Sequence, residues 1–114
     1  MKIRHLLADL HGCTVPLLDD AEALLGLLTA AAARVGAHEY ARTTARYVPH
    51  GVTAVLILAE SHMIVSTWPE HQLALVEILL CNEDMDPEDA FEAVREGLLP
   101  DHVELHQKVR GIHP

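Results

Sequence analysis

Apolar and polar positions recur along this chain at two periods, and each period predicts a type of element. Residues 3–11 alternate with a period of two, which predicts a strand that Gly12 ends. A helical spacing follows, with Asp19 or Asp20 as N-cap and Gly36 as the stop. The apolar face of that predicted helix comprises Leu24, Leu25, Leu28, Ala32 and Val35.

The middle of the chain predicts four strands in succession. These strands are residues 38–48, 52–59, 63–68 and 73–80. A Pro49-His50-Gly51 turn separates the first two. The aliphatic run of residues 52–59 predicts a strand that is buried on both faces. Asp86-Pro87 predicts the start of a second helix, which Pro100 closes. Alternation over Val103, Leu105, Gln107 and Val109 predicts a last strand.

The order strand, helix, four strands, helix, strand is typical of an α+β protein. It predicts a two-layer sandwich, with a mainly antiparallel sheet carrying two helices on one face. At 114 residues and 12.5 kDa, the chain predicts a single domain over residues 1–114. The uncovered sheet face predicts packing against a second copy, so we expect a homodimer.

Charge and cysteine content narrow the classes of partner. Eight basic and 17 acidic residues give a net charge of −9, which disfavours nucleic acid and anionic membranes as partners. The two cysteines, Cys13 and Cys81, form no CxxC pair. No apolar run has membrane-spanning length, and residues 1–4 precede too short an apolar stretch for a signal peptide, so we expect a cytoplasmic protein.

The histidine content does not predict a metal site. The chain has nine histidines, and His102 and His106 would lie on one face of the last strand. At the rise of a strand they stand roughly 13 Å apart, which is too far for one zinc ion. We therefore predict that the chain binds no metal.

The segment that carries chemistry is residues 60–70, which reads Glu-Ser-His, four further residues, then Thr-Trp-Pro-Glu. By spacing alone it is a turn after an apolar strand, because short motifs arise often by chance. Three other segments stand in order around it: residues 5–13, 49–53 and 81–91. Together the four segments resemble the prokaryotic S-adenosylmethionine decarboxylases, which are small pyruvoyl-dependent enzymes, over nearly the whole chain.

The resemblance implies that the chain makes its own cofactor. In that family a serine, here Ser61, attacks the carbonyl of the preceding glutamate, here Glu60, and converts the amide to an ester. β-Elimination then splits the chain and leaves a pyruvoyl group at the new amino terminus. The substrate amine forms a Schiff base with this ketone, which acts as electron sink for decarboxylation. The implied substrate is S-adenosylmethionine, and its product supplies aminopropyl groups for spermidine synthesis.

The resemblance also implies roles for individual residues. Cys81 matches the catalytic proton donor, and Thr53 stands where the family places a serine hydroxyl that assists processing. Glu70 matches an acidic residue that contacts the ribose of the substrate, and Tyr47 matches an aromatic residue near the nucleoside. Without the resemblance, Cys81 would be interpreted as a buried thiol and Glu70 as a solvated carboxylate.

Ser66 departs from the family pattern, which has a histidine acting in self-processing at this position. A serine hydroxyl is a poor general base near neutral pH. Three interpretations stay open. Another group, such as His62 or His50, supplies the base; processing is slow or assisted; or the chain is a diverged homologue. A diverged homologue would decarboxylate ornithine or arginine, or would stay uncut and only bind a ligand or regulate a partner.

Overall fold

A computed structural model describes residues 2–111 as one sheet flanked by helices. The strands are β1 (Lys2–His11), β2 (Glu39–Arg46), β3 (Val52–Leu58), β4 (Ser61–Trp68), β5 (Leu73–Leu80) and β6 (His102–Gly111). The helices are α1 (Val15–Leu18), α2 (Ala21–Val35) and α3 (Pro87–Leu98), and a 3-10 turn spans Pro69–His71.

All six strands form a single antiparallel sheet in the order β2-β3-β4-β5-β1-β6. Helices α2 and α3 pack on each other and cover one face of this sheet. The predicted α+β sandwich is therefore confirmed. The strand order places β4, which carries the Ser61 motif, between β3 and β5.

The helix boundaries follow the predicted caps. The carboxylate of Asp20 accepts a hydrogen bond from the Ala23 amide at 3.0 Å, and Gly36 ends α2 in the left-handed region with φ 76°. The Asp86 carboxylate accepts from the Glu88 amide at 2.9 Å, with Pro87 as the first helical residue. The short helix α1 was not predicted, because a single helical turn is too short to show a repeat of apolar residues.

The prediction that residues 52–59 are buried on both faces is wrong. Along β3, Val52, Ala54, Leu56 and Leu58 are buried, whereas Ile57 is 40% exposed. The reason is that the helices cover one face only, so the other face of every strand stays open. The strand also ends at Leu58, and β4 begins at Ser61 rather than at residue 63.

The open face of the sheet is mixed in character. Its half-buried apolar side chains include Val55, Ile64, Leu75 and Leu79, and Leu7 is 36% exposed. Between these lies His5, whose Nε2 atom is buried without a hydrogen-bond partner. Within residues 2–111, no helix is both long enough and apolar enough to cross a membrane.

Candidate active site

The Glu60–Ser61 bond lies at the tip of the hairpin between β3 and β4. Leu58 pairs with Ser61, so Ala59 and Glu60 alone form the turn. Glu60 has φ 64°, in the left-handed region. For a residue with a side chain this conformation costs about 1–2 kcal/mol, because Cβ crowds its neighbouring carbonyl. The residue on the acyl side of the predicted cleavage point is therefore strained.

Cys81 lies beside this turn, directly after β5. Its Sγ atom is 3.8 Å from Oε2 of Glu60, close enough for a weak S–H hydrogen bond. A cavity of about 260 Å³ is lined by Glu60, Ser61 and Cys81, together with Asn82 and His38. The structure thus brings the two predicted catalytic residues to one cavity. Sequence reasoning missed His38, which no motif marks.

A second group of predicted site residues lies on the open face, where β3 and β4 pair. Thr53 is directly opposite Ser66, and their hydroxyl oxygens are 3.0 Å apart. The Tyr47 hydroxyl lies 2.9 Å from Oγ1 of Thr53, so the three hydroxyls form one row. They line a cavity of about 400 Å³ with His50, Thr67, Trp68 and Glu70.

The turn before β3 holds His50 at this cavity. Nε2 of His50 lies 3.2 Å from Oε1 of Glu70, on the 3-10 turn that follows β4. Gly51 is buried with φ 108°, and a Cβ there would approach the Thr67 carbonyl at 3.1 Å. Its amide donates to the Asp19 carboxylate at 2.8 Å. No sequence pattern predicts that Asp19 anchors this turn, because the contact joins segments 32 residues apart.

The two groups do not meet within one chain. Ser61 and Ser66 are five residues apart on β4, which corresponds to roughly 16 Å along a strand. Odd and even positions also face opposite sides, so Ser66 lies on the open face with His62 while Ser61 lies on the helix side. His62 borders the cleavage turn from the open side, in a cavity with Ser61 and Ile57.

A third cluster lies further across the open face. One potential ligand atom from each of Asp9, His11 and Glu104 lies within 4.8 Å of the others, on the paired strands β1 and β6. The His102 ring lies tilted by 32° against the His11 ring, with centroids 5.7 Å apart. His106 is not part of this group. The cluster is remote from the cleavage turn, and exposed acidic groups often lie this close without a metal.

Comparison with known proteins identifies the family. The family model described as S-adenosylmethionine decarboxylase matches residues 4–111. The S-adenosylmethionine decarboxylase proenzyme of Methanococcus vannielii is 38% identical over 109 residues, covering 96% of this chain and 89% of the relative. That of Thermotoga petrophila is 34% identical over 108 residues, covering 95% and 83%.

The fold agrees with a solved member of the family. The crystal structure of the adenosylmethionine decarboxylase from Aquifex aeolicus matches with a TM-score of 0.90 and 30% identity, over 98% of this chain and 92% of that one. The chain belongs to the S-adenosylmethionine decarboxylase family. This membership confirms the predicted class, a pyruvoyl-dependent carboxy-lyase made as a proenzyme. None of the relatives named here is an ornithine or arginine decarboxylase.

Proposed function

We propose that this chain cuts itself between Glu60 and Ser61 and then decarboxylates S-adenosylmethionine with the pyruvoyl group made from Ser61. The observation that carries the proposal is the cleavage turn: a strained Glu60 followed by Ser61, beside the Cys81 thiol. Two relatives at 34–38% identity are named for this substrate and as proenzymes.

The cleavage balances without an external oxidant. Oγ of Ser61 attacks the Glu60 carbonyl carbon, and the C–N bond breaks to give an ester and a free Ser61 amine. A base removes the proton on Cα of Ser61, the Cβ–Oγ bond breaks, and Glu60 leaves as a carboxylate. Water then replaces nitrogen, which departs as ammonia, and the pyruvoyl group remains. The left-handed conformation of Glu60 favours cleavage, because a chain cut after Glu60 no longer holds this residue in the strained backbone region.

The residues at the cleavage turn fit such a group. Ser61 opens on a cavity that also holds a thiol, so a group at position 61 would be accessible to a small substrate and near a proton source. When formed, the pyruvoyl carbonyl supplies the electron sink for decarboxylation. Cys81 would deliver a proton to the α-carbon of the substrate, and the Glu60 carboxylate orients its S–H bond before cleavage.

The second cavity fits the nucleoside part of the substrate. The Glu70 carboxylate can accept hydrogen bonds from both ribose hydroxyls, and its side chain is 45% exposed. Tyr47 is 52% exposed, and its ring offers a surface on which a purine can stack. A net charge of −9 attracts the sulfonium cation of S-adenosylmethionine.

A homodimer would bring the two cavities together, and we propose that the open faces form it. Ser66 lies two residues after Ile64 on β4, and His62 lies two residues before it. A two-fold axis in the plane between the sheets, crossing β4 at Ile64, reverses the strand direction. It therefore sets Ser66 of one chain over the region of His62 in the other, next to the partner's cleavage turn. The half-buried apolar residues of this face and the unpaired His5 Nε2 support burial against a partner.

The test of this function is the intact mass of freshly purified protein under denaturing conditions. We expect two fragments, residues 1–60 and 61–114, the second beginning with the mass of pyruvoyl instead of serine. The processed protein should then release carbon dioxide from S-adenosylmethionine, and not from ornithine or arginine. The Ser61→Ala variant is the control, and it should stay as one chain. Wild-type protein that remains uncut on long incubation would exclude the proposal.

A further inference from the structure

Self-cleavage needs a group that removes the Cα proton of Ser61. The second cavity offers three hydroxyls in a row, from Tyr47, Thr53 and Ser66. Hydroxyl groups relay protons but are poor bases near neutral pH. Among the described residues that line this cavity, His50 is the only histidine. An imidazole is the side chain best suited to take up and return a proton at this pH.

The structure builds His50 into this position. The turn that carries it is closed by a hydrogen bond from the Tyr47 amide to the Gly51 carbonyl at 2.9 Å. It is tied to the helix side by the Gly51 amide, which donates to Asp19. The side chain of Arg46 donates to the Asp19 carbonyl at 3.3 Å, next to the same turn. A segment fixed at three points holds its imidazole in one place.

Glu70 gives His50 the arrangement of a catalytic base. Its Oε1 lies 3.2 Å from Nε2 of His50, so the carboxylate attracts a proton on that nitrogen. This contact leaves Nδ1 to accept a proton, since no described group hydrogen-bonds to that atom. A carboxylate beside one ring nitrogen fixes the tautomer and stabilises the imidazolium that forms. Glu70 can do this in the proenzyme, because no substrate yet occupies its oxygens.

We propose that His50, positioned by Glu70, is the base that removes the Cα proton of the partner chain's Ser61 during self-cleavage. It thereby takes the place of the histidine that Ser66 replaces. The inference rests on the proposed self-cleaving homodimer, because within one chain the hydroxyl row and Ser61 are roughly 16 Å apart along β4. The hydroxyls of Ser66 and Thr53 then hold the ester oxygen or relay the proton.

The first experiment follows the rate of cleavage after synthesis in a cell-free system, by intact mass. We expect His50→Gln to slow cleavage by about 100-fold or more, which is the usual contribution of a general base. His71→Gln is the matched control: this exposed histidine neighbours Glu70 but lines neither cavity, and the variant should cleave at the wild-type rate. Glu70→Gln should slow cleavage less than His50→Gln does. The double variant should cleave about as slowly as His50→Gln alone, because Glu70 acts through His50.

Two rescues separate a base from a structural residue. Free imidazole should accelerate His50→Ala, and Ser66→His should restore cleavage to His50→Gln by supplying an imidazole from β4. Co-expression tests action across the dimer. A His50→Gln chain paired with a Ser61→Ala chain should be cut, because the Ser61→Ala chain contributes an intact His50 to the partner.

The outcomes distinguish this inference from the function on which it rests. If wild-type protein stays uncut, both fail. If wild-type and His50→Gln cleave equally, the function stands and the inference fails; loss of cleavage in His38→Gln or His62→Gln would then place the base at the cleavage turn. If the His50 variants lose cleavage and neither imidazole nor Ser66→His restores it, His50 is a structural residue of its turn. That result would also overturn the inference.

Discussion

At the scale of single residues, the two cysteines have opposite chemical environments. Cys13 is buried, and its Sγ atom donates to the Leu10 carbonyl at 3.4 Å. Burial raises the pKa of its thiol to about 11, so little thiolate exists at neutral pH. Cys81 is partly exposed at the cavity beside Ser61. Position in the fold, rather than residue type, therefore separates an inert thiol from an available one.

This contrast predicts selective labelling. At pH 8, a small thiol reagent should modify Cys81 of the Ser61→Ala protein well before Cys13, because the buried thiol is both shielded and protonated. Mass spectrometry of the peptides would locate the label. Cys81→Ala protein should take up almost none until denaturant is added, and equal labelling of both cysteines in the folded protein would contradict the prediction.

Sequence could identify these residues but not their neighbours. The motif marks Glu60 and Ser61, yet Cys81 lies 21 residues after Glu60, and their contact depends on how β4 and β5 pair. The hydroxyl row likewise follows from the register that sets Thr53 opposite Ser66. The side-chain period of a strand then explains why the motif residues divide between two faces, which a linear motif hides.

At the scale of elements, Thr67 joins β4 to two other segments. Its side chain is 4% exposed, and Oγ1 donates to the Leu18 carbonyl at 2.6 Å and accepts from the Val52 amide at 2.9 Å. One hydroxyl thus satisfies two buried backbone groups and docks α1 against the sheet beside the second cavity. Short helix α1 depends on this contact more than on its own sequence.

Thr67→Val should therefore destabilise the fold although the shape of the side chain is kept. Loss of the hydroxyl leaves the Leu18 carbonyl and the Val52 amide buried and unpaired, at a cost of about 1–3 kcal/mol in the free energy of unfolding. Urea denaturation of the variant in the Ser61→Ala background would measure it. Thr43→Val, at an exposed position on β2, is the control and should change stability by less than about 0.5 kcal/mol.

Which element boundaries are predictable follows from where their causes lie. The caps at Asp20, Gly36 and Asp86 were predictable because each cap acts on its own helix within three residues. The burial of β3 was not, because it depends on which face α2 and α3 cover. A continuous aliphatic run looks the same whether its second face is covered or left open.

At the scale of the whole molecule, the open face joins the fold to the function. It carries the second cavity at one end of β4 and borders the cleavage turn at the other. Within residues 2–111 there is one sheet, and the helices cover its other face, so the open face is the sheet surface left to pack against a partner. Two chains of net charge −9 repel each other, so apolar contact must hold the proposed dimer together, and salt should strengthen it by screening.

Ile64 lies at the centre of this face, and its replacement should test assembly and cleavage together. On the proposed axis, Ile64→Lys places two unpaired charges in one interface. At several kcal/mol for each buried charge, the dimer should weaken by about 100-fold or more. Sedimentation should show that the variant is a monomer, and circular dichroism should show that its helix content is unchanged. Intact mass should show that the chain is uncut. Ala30→Lys is the control, because Ala30 is exposed on α2, away from the open face; this variant should form the dimer and cleave itself like the wild type. A monomeric Ile64→Lys chain that still cuts itself would place the whole cleavage machinery within one chain.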